Sequence, residues 1–171
     1  MKHLILFFLF LLTPVSAFSQ TATIQDLAVL LNGNWQGGGK GEPGTGTGGF
    51  TFAYDLQNKV IVRKSHAVYP AANDHPPITH DDLMTVYADG AEKKLKAIYF
   101  DNEGHVINYE IEMSADKTSV VFLSGVIAGQ PRYRLSYAKL KDGALNVKFE
   151  IAPPGSPDDF KTYLDGKVWK K

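Results

Sequence analysis

The sequence contains no cysteine, and this absence excludes disulfide bonds and thiolate metal sites. The sequence also has no excess of positive or negative charge, since it contains 18 basic and 18 acidic residues. Binding to nucleic acid or to an anionic membrane needs a basic face, which this composition does not offer. The chain has no Gly-x-Ser-x-Gly motif and no recognisable pair of catalytic carboxylates, so the sequence favours a non-enzymatic role.

A hydrophobic run long enough to span a membrane is missing as well. The apolar stretch at 4–12 is short of the roughly 20 residues that a spanning helix needs. It follows Lys2 and leads to small residues that end at Ala17, the pattern that a signal peptidase reads. We therefore expect a signal peptide over 1–17, a secreted or periplasmic protein without stable membrane insertion, and one domain over 18–171.

Beyond one short helix, the apolar residues alternate with a period of two. The helix is predicted from Thr23 and Asp26, which have the spacing of a capping box, followed by an apolar stripe. Runs such as HVINYEIEM and ALNVKFEIA then predict strands with one buried and one wet face. Turn residues separate the predicted strands, which lie near 34–40, 49–56, 59–69, 82–88, 94–101, 105–113, 118–124, 132–140, 144–151 and 163–170.

This pattern predicts an all-β fold. About ten short antiparallel strands with one helix at the start fit an up-and-down β-barrel of about 8–10 strands, calycin- or lipocalin-like, better than a sandwich. The longer connections at 70–79 and 152–159 are the predicted rim loops.

The stretch GNWQGGGKGEP at 33–43 resembles a phosphate-binding loop but lacks its pattern. Lys40 is followed by glycine rather than by Ser or Thr, and GTGTGG at 44–49 leads into a strand rather than a helix. On a strand, Trp35, Gly37 and Gly39 share one face. Such a face lets another backbone, a side chain or a flat ligand come close, and it permits the sharp coiling of a small barrel. We expect Trp35 to plug the end beneath the helix.

The motif G-x-W-x-G-x-G-x-G-x-P at 33–43 resembles the opening of nitrobindin-like proteins, which are ten-stranded calycin barrels related in architecture to fatty-acid-binding proteins. A weaker likeness to their terminal strand pair covers EIAPPGSPDDFKTYLDGKVWKK. The chain is also similar to uncharacterised secreted proteins with a barrel domain of unknown function, which implies no activity.

Haem is the cofactor that the nitrobindin resemblance implies, because those proteins hold haem b through a histidine in the last strand pair. This sequence has no histidine after His105, and the corresponding position falls on Tyr163. A phenolate can ligate ferric haem. The alternative is a tyrosine that packs in the core, so no cofactor is assigned from the sequence.

Three histidines lie close together in the chain. His66, His75 and His80 fall within 15 residues, and Asp82 shares a face with His80. A site of two histidines and one carboxylate can be built from His66, His80 and Asp82. The alternative is solvated loop histidines, since no tight ligand spacing is present, and no metal is assigned.

Three arginines are candidates for holding a polar ligand group. In fatty-acid-binding barrels a buried arginine and a tyrosine hold the carboxylate of the ligand, and Arg63 or the RYR run at 132–134 resembles that arrangement. Because the apolar face of that run holds Tyr133, Arg132 and Arg134 are expected to point outward. A ligand-filled barrel can have a polar lumen instead, so the inward face stays open here.

The aromatic residues on the strands suit a concave apolar pocket. We therefore predict a carrier or sensor of a small, mainly apolar molecule, with a filled barrel that binds no ligand as the alternative. The candidate ligand-binding residues are Trp35, Gly37, Gly39, Arg63, His66, Tyr87, Tyr99, Tyr109, Arg132, Arg134, Tyr137 and Tyr163.

Overall fold

The computed structural model of the protein describes residues 22–71 and 76–171. It contains one helix, α1, and ten strands, β1 to β10. The expected signal peptide lies outside the described residues. The elements are α1 (Ile24–Leu31), β1 (Gly33–Gly41), β2 (Gly44–Asp55), β3 (Val60–Tyr69), β4 (Ile78–Asp89), β5 (Lys94–Asp101), β6 (Val106–Met113), β7 (Ser119–Ser124), β8 (Arg132–Lys139), β9 (Leu145–Ala152) and β10 (Lys161–Lys170).

The strands form a closed barrel in which each strand pairs antiparallel with its neighbours in the sequence and β1 pairs with β10. The predicted up-and-down barrel with an N-terminal helix is thereby confirmed. Two strands start earlier than predicted, β2 at Gly44 and β4 at Ile78. The start of β2 holds only glycine and threonine, and Gly46 is buried there because the Tyr69 ring occupies the space of a side chain.

Helix α1 covers one end of the barrel. Its Thr23 cap and Asp26 form the predicted capping box. Leu27 and Leu31 are fully buried in the core, and the indole Nε1 of Trp35 donates to the Leu31 carbonyl at 2.8 Å. Trp35 therefore fills this end beneath the helix, as expected. No helix among the described residues is long and apolar enough to cross a membrane.

The glycines of β1 form the seam at which the barrel closes. A Cβ at Gly37 would collide with the Lys167 carbonyl oxygen, and one at Gly39 would lie 2.9 Å from the Asp165 carbonyl oxygen. The backbone of β10 occupies the space that side chains would need. The glycine stretch is thus mechanical, because it lets two backbones approach closely.

Aromatic rings fill the barrel from the helix towards its middle. Phe50, Phe52, Phe122 and Tyr109 are almost completely buried around Tyr137, and successive rings meet edge to face with centroids 5.5–6.2 Å apart. Such packing adds to the hydrophobic gain of burial. This half of the barrel is a core rather than a lumen.

Candidate functional site

The end of the barrel opposite α1, which we call the mouth, is packed differently. Four inward-facing aromatic residues lie there, and we call them the aromatic cup. The Tyr133 and Phe149 rings stack with centroids 6.0 Å apart, and both stay partly exposed. The cup is an apolar surface that the protein itself leaves partly uncovered. Its members are Tyr69, Tyr133, Phe149 and Tyr163.

Tyr163 reaches the cup through an irregularity in β10. The pairing register with β9 shifts between Thr162 and Leu164, which leaves Tyr163 as the extra residue of a bulge. Its ring meets Phe149 edge-on with centroids 5.9 Å apart, and the residue is 37% exposed. Burial raises the pKa of Tyr163, and the carboxylates of Glu103 and Glu42 raise it further. These neighbours oppose the phenolate that a ferric haem would need.

A polar floor separates the cup from the aromatic core. Its centre is an ion pair between Arg63 on β3 and Asp82 on β4, whose side chains are only 7% and 5% exposed. The Arg63 guanidinium also lies over the Phe50 ring, 5.0 Å from its centroid. Alternation along β3 explains the position, because Arg63 shares the inward face with Ile61.

His80 extends the floor towards the rim. It faces inward on β4, with Nδ1 3.0 Å from Glu103 Oε1 and Nε2 2.9 Å from the Tyr99 hydroxyl. Because a carboxylate only accepts hydrogen bonds, Nδ1 carries a proton, and Nε2 can accept from the Tyr99 hydroxyl. Burial raises the pKa of Tyr99, and Asp82 and Asp101 raise it further, so its hydroxyl stays protonated.

Asp101 brings a second buried carboxylate to the floor. It pairs directly with Asp82 across β4 and β5, and its side chain is 4% exposed. Its Oδ2 lies 2.9 Å from His105 Nδ1, and its Oδ1 accepts the backbone N–H groups of Glu103 and His105. Burial raises the pKa of Asp101, but the hydrogen bonds from His105 and Glu103 outweigh it and hold the pKa below its usual value. The carboxylate therefore stays ionised near neutral pH.

Within the part of the chain that the structure describes, two buried polar atoms at or beneath the floor have no hydrogen-bond partner. They are Arg63 Nε and the Tyr137 hydroxyl, both fully buried. Burial raises the pKa of Tyr137 to about 12, although the nearby Arg63 cation lowers it in part. Buried polar atoms of this kind are uncommon in folded proteins.

The structure separates the sequence-predicted residues into two groups. Arg63, Tyr99, Tyr109 and Tyr137 face inward and come together at the floor or just beneath it. Tyr163 lies in the cup, Trp35 at the helix end, and Gly37 and Gly39 at the seam, where the backbone of β10 fills the space beside them. The outward-facing group is His66, Tyr87, Arg132 and Arg134.

The two arginines of the RYR run have partners on the outer surface. Arg132 Nη1 lies 2.7 Å from Asp158, and Arg134 Nε lies 2.6 Å from Glu150. Arg134 also stacks on Phe160, 4.1 Å from the ring centroid. The expectation that these arginines point outward is confirmed.

His66 and His80 do not come together as a metal site. His66 faces outward, with its Nδ1 2.7 Å from Asp81 Oδ1, whereas His80 faces inward. His66 pairs with Asp81 across β3 and β4, and successive residues of a strand, such as His80 and Asp81, point to opposite faces. His80 lies in β4 rather than in a rim loop, and His75 lies outside the described residues. Within 22–71 and 76–171, no group of His, Asp or Glu side chains is arranged to hold a metal ion.

Two open grooves lie on the outer wall of the barrel. One, of about 680 Å³, runs over β1 to β3 beside Gln36 and His66. The other, of about 520 Å³, runs over β3 to β5 beside Leu83 and Phe100. Neither groove contains a member of the aromatic cup.

Several residues of the mouth were not among the sequence-predicted candidates. Tyr133 and Phe149 are in phase with buried residues of their strands, and Tyr69 is in phase with Arg63. Alternation places Tyr133 and Phe149 on the apolar faces of their strands, and it could have assigned Tyr69 to the inward face as well. Asp101 is likewise in phase with Leu95 and Tyr99 on β5, but its sequence context, like that of Glu103, is that of a turn.

The strand order defines a ten-stranded up-and-down barrel. No protein-family model matches the chain, and no curated protein matches it. The fold is similar to the solved structure of EF1p2_mFAP2b bound to DFHBI, with a TM-score of 0.42 and 12% identity over 87% of this chain and 100% of that chain. A similarity of this size carries no argument about the ligand of the present protein.

Proposed function

We propose that this protein is an exported carrier or sensor that binds a small, mainly apolar molecule at the mouth of the barrel. The observation that carries the proposal is the partial exposure of the aromatic cup. The rings of Phe50, Phe52, Phe122 and Tyr137 are almost completely buried, whereas those of Tyr133, Phe149 and Tyr163 are not. A partly exposed apolar surface is a usual feature of ligand sites.

The polar floor favours a ligand that has a polar group in addition to its apolar body. Beneath the cup, His80 and Tyr99 present a hydrogen-bonding pair beside two buried carboxylates. A few placed polar groups within an apolar site fix the orientation of a ligand. The filled half below the floor limits how deep a ligand can enter the barrel. The ligand therefore contacts the cup and the floor rather than the aromatic core.

Native mass spectrometry of protein purified from its own host tests the proposal, with a co-purifying small molecule as the expected result. A titration with the neutral dye Nile red provides a second test. We expect Tyr133→Ala, in the cup, to weaken dye binding at least about tenfold, which is about 1.4 kcal/mol.

Tyr87→Ala is the matched control, because Tyr87 is a strand tyrosine that faces outward. Circular dichroism checks that both variants keep the barrel. Equal dye binding by the two folded variants would place the site elsewhere and contradict the proposal.

A further inference from the structure

The mouth of the barrel carries an excess of negative charge. The carboxylates at and beside the floor are Asp82, Asp101 and Glu103, and the permanent cation there is Arg63. Asp82 and Asp101 are directly opposite each other on adjacent strands, an arrangement in which like charges repel. A negative potential therefore remains above the floor.

Arg63 is not available to a ligand anion. Its guanidinium is buried, is paired with Asp82 and lies over the Phe50 ring. Three lysines of the described strands are in phase with the inward face: Lys139 and Lys170 lie at the helix end, and Lys161 lies at the start of β10, 3.7 Å from Asp159. A carboxylate or phosphate entering the mouth would meet three acidic groups, while the lysine at the rim is already paired with Asp159.

The aromatic cup attracts the same sign of charge as the floor. The faces of aromatic rings carry partial negative charge, and rings that surround a site bind alkylammonium groups through cation–π contacts. The Tyr133 and Phe149 rings are parallel to within 5°, while the Tyr163 ring stands at 88° to Phe149. Rings in two orientations thus form walls of a corner next to the carboxylates.

The carboxylates also act electrostatically on the tyrosines of the cup. Asp101 raises the pKa of Tyr133, after the larger effect of burial, and Glu103 does the same for Tyr163 and Tyr69. These couplings connect the floor with cup residues from β3, β8 and β10. A cation held at this level would be attracted by the rings and by the carboxylates at once.

We infer that the polar end of the ligand is an organic cation, a protonated amine or a quaternary ammonium group, attached to a small apolar body. The inference rests on the proposed function, because it assigns the charge of a molecule bound at the mouth. The apolar body packs on the cup, and the ammonium group points to Asp101 and Glu103. Sodium chloride weakens such binding, since Glu103 is 52% exposed and its attraction is screened.

Three probes of equal chain length test the sign of the charge: hexyltrimethylammonium, 1-hexanol and hexanoate. We expect calorimetric titration of the purified protein at low salt to give the tightest binding for the ammonium probe. Its preference over hexanol should be at least about tenfold, which is about 1.4 kcal/mol. Hexanoate should bind most weakly.

Two variants separate the contributions of charge and of aromatic faces. Glu103→Gln should reduce the affinity for hexyltrimethylammonium about threefold and leave hexanol binding unchanged. Glu112→Gln, at an exposed outward position near the helix end of β6, is the matched control and should change neither. Phe149→Leu keeps an apolar side chain but removes a ring face, so it should reduce ammonium binding more than hexanol binding.

The outcomes distinguish this inference from the proposed function. Binding of hexanol as tight as that of the ammonium probe, or tighter binding of hexanoate, overturns the cation while leaving a ligand-binding mouth. An ammonium preference that Glu103→Gln and Glu112→Gln alter equally also overturns it. Failure of all three probes to bind, together with failure of Nile red, overturns both.

Discussion

The buried ion pair of Arg63 and Asp82 should contribute a large coupling energy to the free energy of unfolding. Each side chain is less than a tenth exposed, so water screens the pair little. Replacing one partner leaves the other charge buried, which costs about 3–5 kcal/mol in comparable pairs. We expect Arg63→Met to cost about 3 kcal/mol, at the lower end of this range.

The double variant Arg63→Met/Asp82→Asn removes both charges. Its loss of stability should be smaller than the sum of the two single losses by at least about 2 kcal/mol. Urea unfolding followed by circular dichroism and tryptophan fluorescence measures the three free energies, with unchanged m-values as a check on two-state behaviour.

Lys94→Met provides the comparison with an exposed ion pair. Lys94 and Glu110 are 3.3 Å apart on the outer surface, and both side chains are more than half exposed. Removing such a pair costs about 0–1 kcal/mol. If Arg63→Met costs no more than Lys94→Met, or if the two floor substitutions are additive, the argument from burial is refuted.

Three further predictions concern the seam, the response to acid and the N-terminus. Gly37→Ala should lower the unfolding free energy by about 3 kcal/mol, because the new Cβ would collide with the backbone of β10. Gly90→Ala is the control, because a Cβ there has open space. Equal urea midpoints for the two variants would contradict the close approach of the two backbones at the seam. The hydrogen bond from Arg134 holds the pKa of Glu150 below its usual value, so its stabilisation is complete above about pH 4.5 and is lost as the pH falls through the lowered value. Glu150→Gln should therefore flatten the fall of the urea midpoint between about pH 5 and 2, and parallel curves would refute this assignment. Intact mass of the exported protein should show cleavage after Ala17, and a species that retains 1–17 would contradict export by a cleaved signal.

Alternation predicted the barrel because most strands have one buried and one exposed face. In β6, for example, Ile107, Tyr109 and Ile111 are buried while the residues between them are exposed. Alternation did not predict the start of β2, because glycine and threonine there give no contrast between apolar and polar positions. Gly46 is covered by the Tyr69 ring of β3. Strand pairing there depends on a contact between distant segments, which a local pattern does not contain.

The candidate site was predictable only in part. The phase of Ile61 along β3 assigns Arg63 to the interior, and the phase of Leu135 assigns the arginines of β8 to the outside. The division of the interior into a filled half and a partly exposed cup could not be read in this way. It depends on the bulge at Tyr163 and on how rings from non-neighbouring strands meet.

The glycine seam also has a consequence for how the protein is made. It joins Trp35, in the first strand to leave the ribosome, to Lys170, in the last. Until β10 has been synthesised, β1 has an unpaired edge that can recruit another chain and start aggregation. Glycine has a low strand propensity and offers no side chain to pack, so this edge is a weak template for a foreign strand. The composition that lets the finished barrel close thus also protects the nascent chain while it is still open.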